Sequence, residues 1–222
     1  MAQVVIVDSE CANLSSIYKA VKKISLEPVV SGDPRLIAAA QAVIFPGVGS
    51  FAHASSLIHK KKLTWALLKV ITEDRPFLGI CLGMQLLFSK SEESSLSHTD
   101  EPARGLNVIK GEVKRFPAGL PVPHVGWNKV MPAYENFLFE GLSEGAYFYF
   151  THSYYARPIK EEKILGLTEY GFSFTAAVKS GNLYGVQFHP EKSGPAGLRL
   201  LANFGNIIAD RRYLKDSHTG EY

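Results

Sequence analysis

Arg75-Pro76-Phe77-Leu78-Gly79-Ile80-Cys81-Leu82-Gly83-Met84-Gln85-Leu86-Leu87-Phe88 is the stretch on which the fold turns. Residues 77–80 are short, apolar and preceded by a proline, as a buried strand is. Leu82 to Phe88 reads as the first turns of a helix. Gly79 and Gly83 flank the junction and permit a sharp strand-to-helix turn of the nucleophile-elbow kind. Such a turn puts the Cys81 sulfur at a helix N-terminus, where the backbone dipole favours thiolate over thiol. A buried structural cysteine would satisfy the same composition. The segment alone leaves both readings open, and a partner base has to decide between them.

Upstream of this stretch, strand and helix signals alternate. Residues 4–7 form a continuous apolar run suited to a parallel strand. Leu14, Ile17, Tyr18 and Val21 then share one helical face, with Asn13 as the N-cap. Residues 28–30 and 42–45 read as further strands, and 51–71 as a helical stretch before the 77–80 strand. This alternation predicts an α/β fold with a mostly parallel central sheet, right-handed crossovers and flanking helices. Downstream, residues 89–101 are polar and read as a loop. From Gly105 the texture changes to short β-branched and aromatic runs at 108–109, 113–116, 147–155, 164–168 and 174–178. Gly, Pro and Asn punctuate them, which predicts an additional antiparallel β portion. Ser180-Gly181-Asn182 reads as a hairpin turn, and Ser193-Gly194-Pro195 opens a last helix with Leu198, Leu201, Ala202, Gly205 and Ile208 on one face. The expected organisation is one domain over 1–210 and a charged, partly disordered tail over 211–222.

The hairpin leads into the strand 183–188, which ends at His189-Pro190-Glu191. Proline stops the strand there, and the carboxylate two residues on can orient the imidazole. A cysteine to attack, a histidine to move the proton and an acid to hold the histidine make a nucleophilic set. An isolated histidine is ordinarily a satisfied surface or core residue. Paired with an elbow cysteine, His189 reads as the base and Glu191 as its orienting acid.

Bulk composition excludes several classes. The 222 residues suit one domain with a sizeable core, since chains usually split into domains beyond about 250–300 residues. A hydrophobic content of 46% with 20% charged residues is that of a globular protein. Net charge is only +3, and Lys60-Lys61-Lys62 reads as a solvated helix face. No aromatic-basic array or zinc spacing is present, so neither nucleic acid nor metal is expected. Two cysteines, Cys11 and Cys81, argue against a disulfide scaffold, and no chemistry is expected of Cys11. The start of the chain lacks a basic n-region and no apolar run reaches the ~20 residues of a span, so the expectation is cytoplasmic, without membrane association.

Gly79-Ile80-Cys81-Leu82-Gly83-Met84-Gln85, taken with Gly185-Val186-Gln187-Phe188-His189-Pro190-Glu191, resembles the class I (triad) glutamine amidotransferases. Three further segments are similar to a branch of that family, the glutaminase subunits of bacterial imidazole glycerol phosphate synthases. They are Phe45-Pro46-Gly47-Val48-Gly49, Pro123-His124-Val125-Gly126-Trp127-Asn128 and Tyr147-Phe148-Tyr149-Phe150-Thr151-His152-Ser153-Tyr154. The resemblance covers residues 3 to about 208 and implies that Cys81, His189 and Glu191 are catalytic, with no cofactor. Glutamine is the implied substrate, bound by Gln85, Glu93 and backbone groups at Ser153 and Tyr154. For Glu93 a solvated acidic loop remains the alternative. Elbow geometry makes the Leu82 N–H one oxyanion donor. The resemblance makes 46–49 the oxyanion strand, with Val48 or Gly49 giving the second donor after a peptide rotation.

The same resemblance implies a heterodimer with a (β/α)₈ cyclase subunit, contacted through Asn13, Trp127, Tyr149 and Lys192. The ammonia would be channelled to that subunit for conversion of a phosphoribulosyl-formimino-AICAR ribonucleotide to imidazole glycerol phosphate and AICAR, a step of histidine biosynthesis. Two departures stand out. Asp8-Ser9-Glu10-Cys11-Ala12 replaces a segment in which many relatives carry tyrosine and glycines, and Thr151 stands where valine is common. Competing readings are the same module serving a surface-sugar amidination pathway, a stand-alone cysteine amidase or peptidase, and a non-catalytic subunit. Genomic neighbours separate the first from the leading reading. Gln85 and the His-Pro-Glu run argue against the second, and the complete triad against the third.

Overall fold

Alternation of side chains along the first strands dictates the layering. In the computed structural model, which describes residues 3–94 and 102–209, β1 (Gln3–Val7) sends Val4 and Ile6 to one face and Val5 and Val7 to the other. The pattern repeats in β3 (Val43–Gly47) and β4 (Phe77–Cys81), where Ile44, Leu78 and Ile80 face one core and Val43, Phe45 and Phe77 the opposite one. Because both faces are apolar, both need a covering of helices. The first core is covered by α1 (Leu14–Lys23) and α6 (Gly194–Ala209). The second is covered by α2 (Pro34–Ala39), α3 (Phe51–Lys60) and α4 (Leu63–Thr72).

With β2 (Glu27–Ser31) at one edge, the parallel part runs β2-β1-β3-β4-β13, the last being Leu183–Val186. Beyond it the sheet turns antiparallel through β12 (Ser173–Ser180) and β10 (Tyr154–Pro158) to β7 (Ile109–Arg115). The strands β5 (Phe88–Ser94) and β6 (Pro102–Arg104) extend that edge. A branch carries β11 (Ile164–Glu169), β8 (His124–Pro132) and β9 (Ala146–His152). The architecture is the expected one, a parallel central sheet between helices with an antiparallel addition.

Several boundaries differ from the sequence reading. The stretch 51–71 is two helices, because Ile58 and Leu63 are five residues apart and cannot share a face. The chain resets its phase at Lys61-Lys62, where Lys62 has φ +58°, so of the triple lysine only Lys60 belongs to a helix, as the last residue of α3, and the other two form a turn. Within α1 the buried residues are Ile17, Ala20 and Val21, whereas Tyr18 is exposed. Asn13 occupies the N-cap position but makes no side-chain cap hydrogen bond. The helix after Cys81, α5 (Leu82–Gln85), is a single turn. The carbonyls of Leu86, Leu87 and Phe88 are taken by the N–H groups of Leu106, Val108 and Asn107, and the chain leaves as β5. The polar loop expected at 89–101 therefore holds strand over 88–94, while 95–101 and the predicted tail lie outside the described residues. The strand before His189 stops at Val186, and the run 147–155 splits at Ser153 into β9 and β10.

Candidate active site

Three parallel strands bring the predicted residues together. Gly47 in β3 lies opposite Cys81 in β4, and Val186 in β13 lies opposite Ile80. The oxyanion segment and Gln187 thus flank Cys81 at the carboxyl ends of the strands, where open α/β sheets bind ligands. The register between β4 and β13 is stapled at the other end. Asp74 accepts from the Asn182 backbone N–H at 2.8 Å and from its side-chain amide, which also bonds the Asp74 carbonyl at 2.9 Å.

At the junction of β4 and α5, Cys81 has φ +53° and ψ −110°, so the strained residue is the cysteine itself. The neighbouring glycines serve a different purpose from the one the sequence suggested. A Cβ on Gly83 would sit 1.8 Å from the Phe45 carbonyl oxygen, and one on Gly79 2.8 Å from the Gly83 carbonyl oxygen. They permit close approach of backbones and not unusual dihedrals.

His189 and Glu191 follow directly behind. The His189 Nδ1–H donates to Glu191 Oε1 at 2.8 Å, with both side chains buried. Nε2 is buried without a hydrogen-bond partner among the described residues, and the Cys81 sulfur acts on the ring electrostatically. Burial disfavours the imidazolium, but the sulfur and the carboxylate outweigh it and raise the His189 pKa to about 10. The ring is clamped through its backbone. The N–H of His189 donates to the Tyr149 carbonyl at 2.9 Å, and its carbonyl accepts from Ser193 Oγ at 2.6 Å.

A cavity of about 280 Å³ opens beside the sulfur. Its wall includes Val48, Gly49, Cys81, Leu82, Gln85, Glu93, Ser153 and Tyr154, bringing together the predicted oxyanion and substrate residues. A larger cavity of about 500 Å³, around Tyr134, Phe137, Glu140 and Lys179, holds neither the cysteine nor a histidine. The Val48 N–H donates to the Cys11 carbonyl at 2.7 Å, so in this conformation it is held by the departing segment 8–12. The peptide that carries this N–H joins Gly47 to Val48 and turns about the torsions of those two residues; Gly49, with φ +95° and open space around it, follows directly. Glu93 accepts from the Phe51 N–H at the start of α3 while still facing the cavity. Ser153 and Tyr154 present carbonyls already in use: Phe116 N–H bonds the first, and Gln85 Nε2 and His152 Nδ1 bond the second.

Sequence reasoning missed Gln187. Wholly buried, it donates from Nε2 toward Cys81 Sγ at 3.6 Å, while its Oε1 accepts from Gln85 Nε2 at 3.0 Å. The signal available was an uncharged polar residue inside an apolar strand next to His189. On the far side, Trp127 and Tyr149 meet edge-on at 6.3 Å, and Lys192 Nζ lies 5.9 Å from the Tyr149 ring centre. Trp127 is 56% exposed, and Asn13 is exposed at the start of α1.

Residues 5–207 match the glutamine amidotransferase class-I family model. The chain is 47% identical over 208 residues to the imidazole glycerol phosphate synthase subunit HisH of Moorella thermoacetica, covering 94% of this chain and 96% of that one. It is 45% identical over 205 residues to the subunit of the same name from Methanothermobacter thermautotrophicus, covering 92% and 98%. Among solved structures, PurLQS from Thermotoga maritima shares the fold with a TM-score of 0.72 at 16% identity, over 93% of this chain and 99% of that one. No helix among the described residues is long and apolar enough to cross a membrane. The chain belongs to the class I glutamine amidotransferases, in the family of HisH subunits of imidazole glycerol phosphate synthase.

Proposed function

We propose that this chain hydrolyses glutamine to glutamate and ammonia at Cys81 and delivers the ammonia to a (β/α)₈ cyclase subunit in a heterodimer of the cytoplasm. The observation that carries the reading is the Cys81, His189 and Glu191 set, assembled on a strained elbow beside a cavity of substrate size. The sulfur attacks the side-chain amide carbon of glutamine. As the C–N bond breaks, His189 Nε2 gives its proton to the departing nitrogen, which leaves as ammonia. A γ-glutamyl thioester remains. His189, now neutral, takes a proton from the water that attacks the thioester, and glutamate leaves as the cysteine is restored. Glu191 holds the ring and stabilises its cationic form.

Charge on the tetrahedral intermediate falls between the Leu82 N–H, first in α5, and the oxyanion segment. Since the Val48 N–H is bonded to the Cys11 carbonyl, the second donor becomes available only when that peptide turns. This supports low glutaminase activity in the isolated chain and activation by the partner. The relatives' shared name supports imidazole glycerol phosphate synthesis in histidine biosynthesis as the reaction served. The direct test is glutamine hydrolysis by the chain alone, with a cyclase subunit, and with that subunit plus its nucleotide substrate. The expected series rises steeply at the last step. Full activity in the isolated chain, indifferent to any cyclase subunit, would favour a stand-alone amidase.

A further inference from the structure

Behind the substrate cavity lies a polar chain within an aromatic cage. His152 Nδ1 is 2.8 Å from the Tyr154 carbonyl oxygen, His124 Nδ1 is 3.0 Å from His152 Nε2, and Asn128 Nδ2 is 3.3 Å from His124 Nε2. Carbonyl chemistry fixes the tautomers. The Tyr154 oxygen can only accept, so His152 carries its proton on Nδ1 and its Nε2 must accept. His124 therefore carries its own proton on Nδ1, and its Nε2 accepts from the Asn128 amide, whose orientation is set by a second donation to the Glu169 carbonyl at 2.7 Å. A proton added to either ring would put two donors face to face.

The surroundings enforce this state. His124 stacks on Tyr170 at 4.1 Å and on Phe150 at 4.9 Å, and His152 packs near Phe116 and Phe174. Burial lowers the pKa of His152 to about 3 and that of His124 to about 4. Beyond the pair, the Tyr154 carbonyl also accepts from Gln85 Nε2 at 2.9 Å, and the same nitrogen donates to Gln187 Oε1. Both amide hydrogens of Gln85 are thereby committed, so its Oε1 is the atom left for the cavity. Gln187, oriented in turn, aims its own N–H at Cys81 Sγ.

We propose that His124 and His152 are positioning residues for glutamine hydrolysis, a tautomer-locked pair that fixes the Tyr154 carbonyl and through it the amides of Gln85 and Gln187. The chain of bonds runs from the exposed hairpin of β8 and β9 to the nucleophile, and it touches substrate only at the Gln85 end. This inference rests on glutamine being hydrolysed at Cys81.

The test uses the full chain with its cyclase subunit. His152→Phe fills the ring volume but deletes both nitrogens, and His152→Asn returns a donor near the Nδ1 position. A misplacement of the size expected when the Tyr154 carbonyl is freed costs on the order of 10- to 100-fold in kcat/KM. In His152→Phe the loss should fall mostly on the KM for glutamine, whereas Gln187→Leu should lower kcat with little change in KM. His152→Asn should recover most of the loss. Unchanged KM and kcat in a folded His152→Phe protein would overturn the proposal, as would an Asn variant as impaired as the Phe variant. Should His152→Phe fail to fold, His124→Phe decides, with a severalfold rise in KM expected and a wild-type value fatal. If the wild-type chain itself fails to hydrolyse glutamine, the glutaminase reading falls; wild-type hydrolysis with indifferent histidine variants removes this proposal alone.

Discussion

At Cys81 the proposed nucleophile is also the residue whose backbone is strained, with φ +53° in a region that side chains avoid. Function and stability therefore pull apart here. Cys81→Ala should abolish glutamine hydrolysis while ammonia-dependent cyclisation by the complex continues, because the cyclisation chemistry belongs to the partner. Cys81→Gly should be equally dead but more stable than Cys81→Ala by about 1–2 kcal/mol, since glycine relieves the dihedral. Thermal melts of the two variants check the order, and equal melting would show that the elbow stores no strain. His189 gives a pH prediction. Its folded pKa is raised to about 10 against an ordinary 6.5, so its contribution to stability is complete below 6.5 and is lost as pH rises through about 10. The imidazolium proposed to protonate the departing amide nitrogen should accordingly persist well above neutrality. An NMR titration of His189 should show a high value that drops in Cys81→Ala, where the sulfur is gone, and drops less in Glu191→Gln if the sulfur is the stronger influence. A His189 that titrates near 6.5 in the wild-type protein would remove the coupled pair. Hydrolysis should nearly vanish in His189→Asn and be reduced less in Glu191→Gln.

Elements position these residues through backbone contact more than through side-chain packing. Gly83→Ala places a methyl 1.8 Å from the Phe45 carbonyl, which neither β3 nor α5 can yield without moving Cys81. The expected outcome is loss of hydrolysis together with lower stability, and normal kinetics in Gly83→Ala would show that the elbow tolerates spreading. The β8 and β9 elements predict acid lability. His124 and His152 are neutral in the fold at pH values where the unfolded chain is charged, so stability falls as pH drops from about 6.5 toward 4. Each proton taken up on unfolding adds a slope of about 1.4 kcal/mol per pH unit. Urea melts across that range should lose roughly one proton of slope in His124→Phe. Legibility followed the same division. Cys81, His189 and Glu191 stood out because each sits in a local pattern, a glycine-flanked turn or a strand end with an offset of two residues. The oxyanion segment, Glu93, Ser153 and Tyr154 came instead from the family resemblance; the fold brings the oxyanion and substrate candidates to one cavity beside Cys81. The single-turn length of α5 was not readable, because it is ended by hydrogen bonds from Leu106, Asn107 and Val108, some twenty residues downstream. Nor was strand at 88–94, whose polar sequence is stabilised by pairing with β7 and β6. Gln187 and the histidine pair were hidden for the same reason, since their hydrogen bonds form only once residues of β8, β9, β10 and α5 and the segment after β13 are folded together.

Across the whole molecule, one route joins the predicted partner face to the proton donor. Trp127 on β8 and Tyr149 on β9 sit opposite each other in register, and Lys192 reaches over the Tyr149 ring from the turn that follows the triad. The backbone of Tyr149 is tied in at both ends: its carbonyl accepts from the His189 N–H, and its own N–H donates to Ser193 Oγ, which in turn bonds the His189 carbonyl. Any displacement of this strand pair by a docked subunit must therefore move the backbone that carries His189. An exposed tryptophan is also the residue type most often found at the energetic centre of an interface, where truncation costs about 2 kcal/mol or more. Trp127→Ala should weaken association with the cyclase subunit by roughly 10- to 100-fold, the same energy expressed as affinity. Lys192→Ala removes only the contact over the ring, so it should leave binding nearly intact while reducing the activation of hydrolysis by the cyclase's nucleotide. Calorimetric titration of the two subunits measures the first effect, and glutaminase rates with and without nucleotide measure the second. Undiminished affinity in Trp127→Ala would place the cyclase elsewhere on the chain, and full activation in Lys192→Ala would mean that the signal reaches His189 through the strand alone.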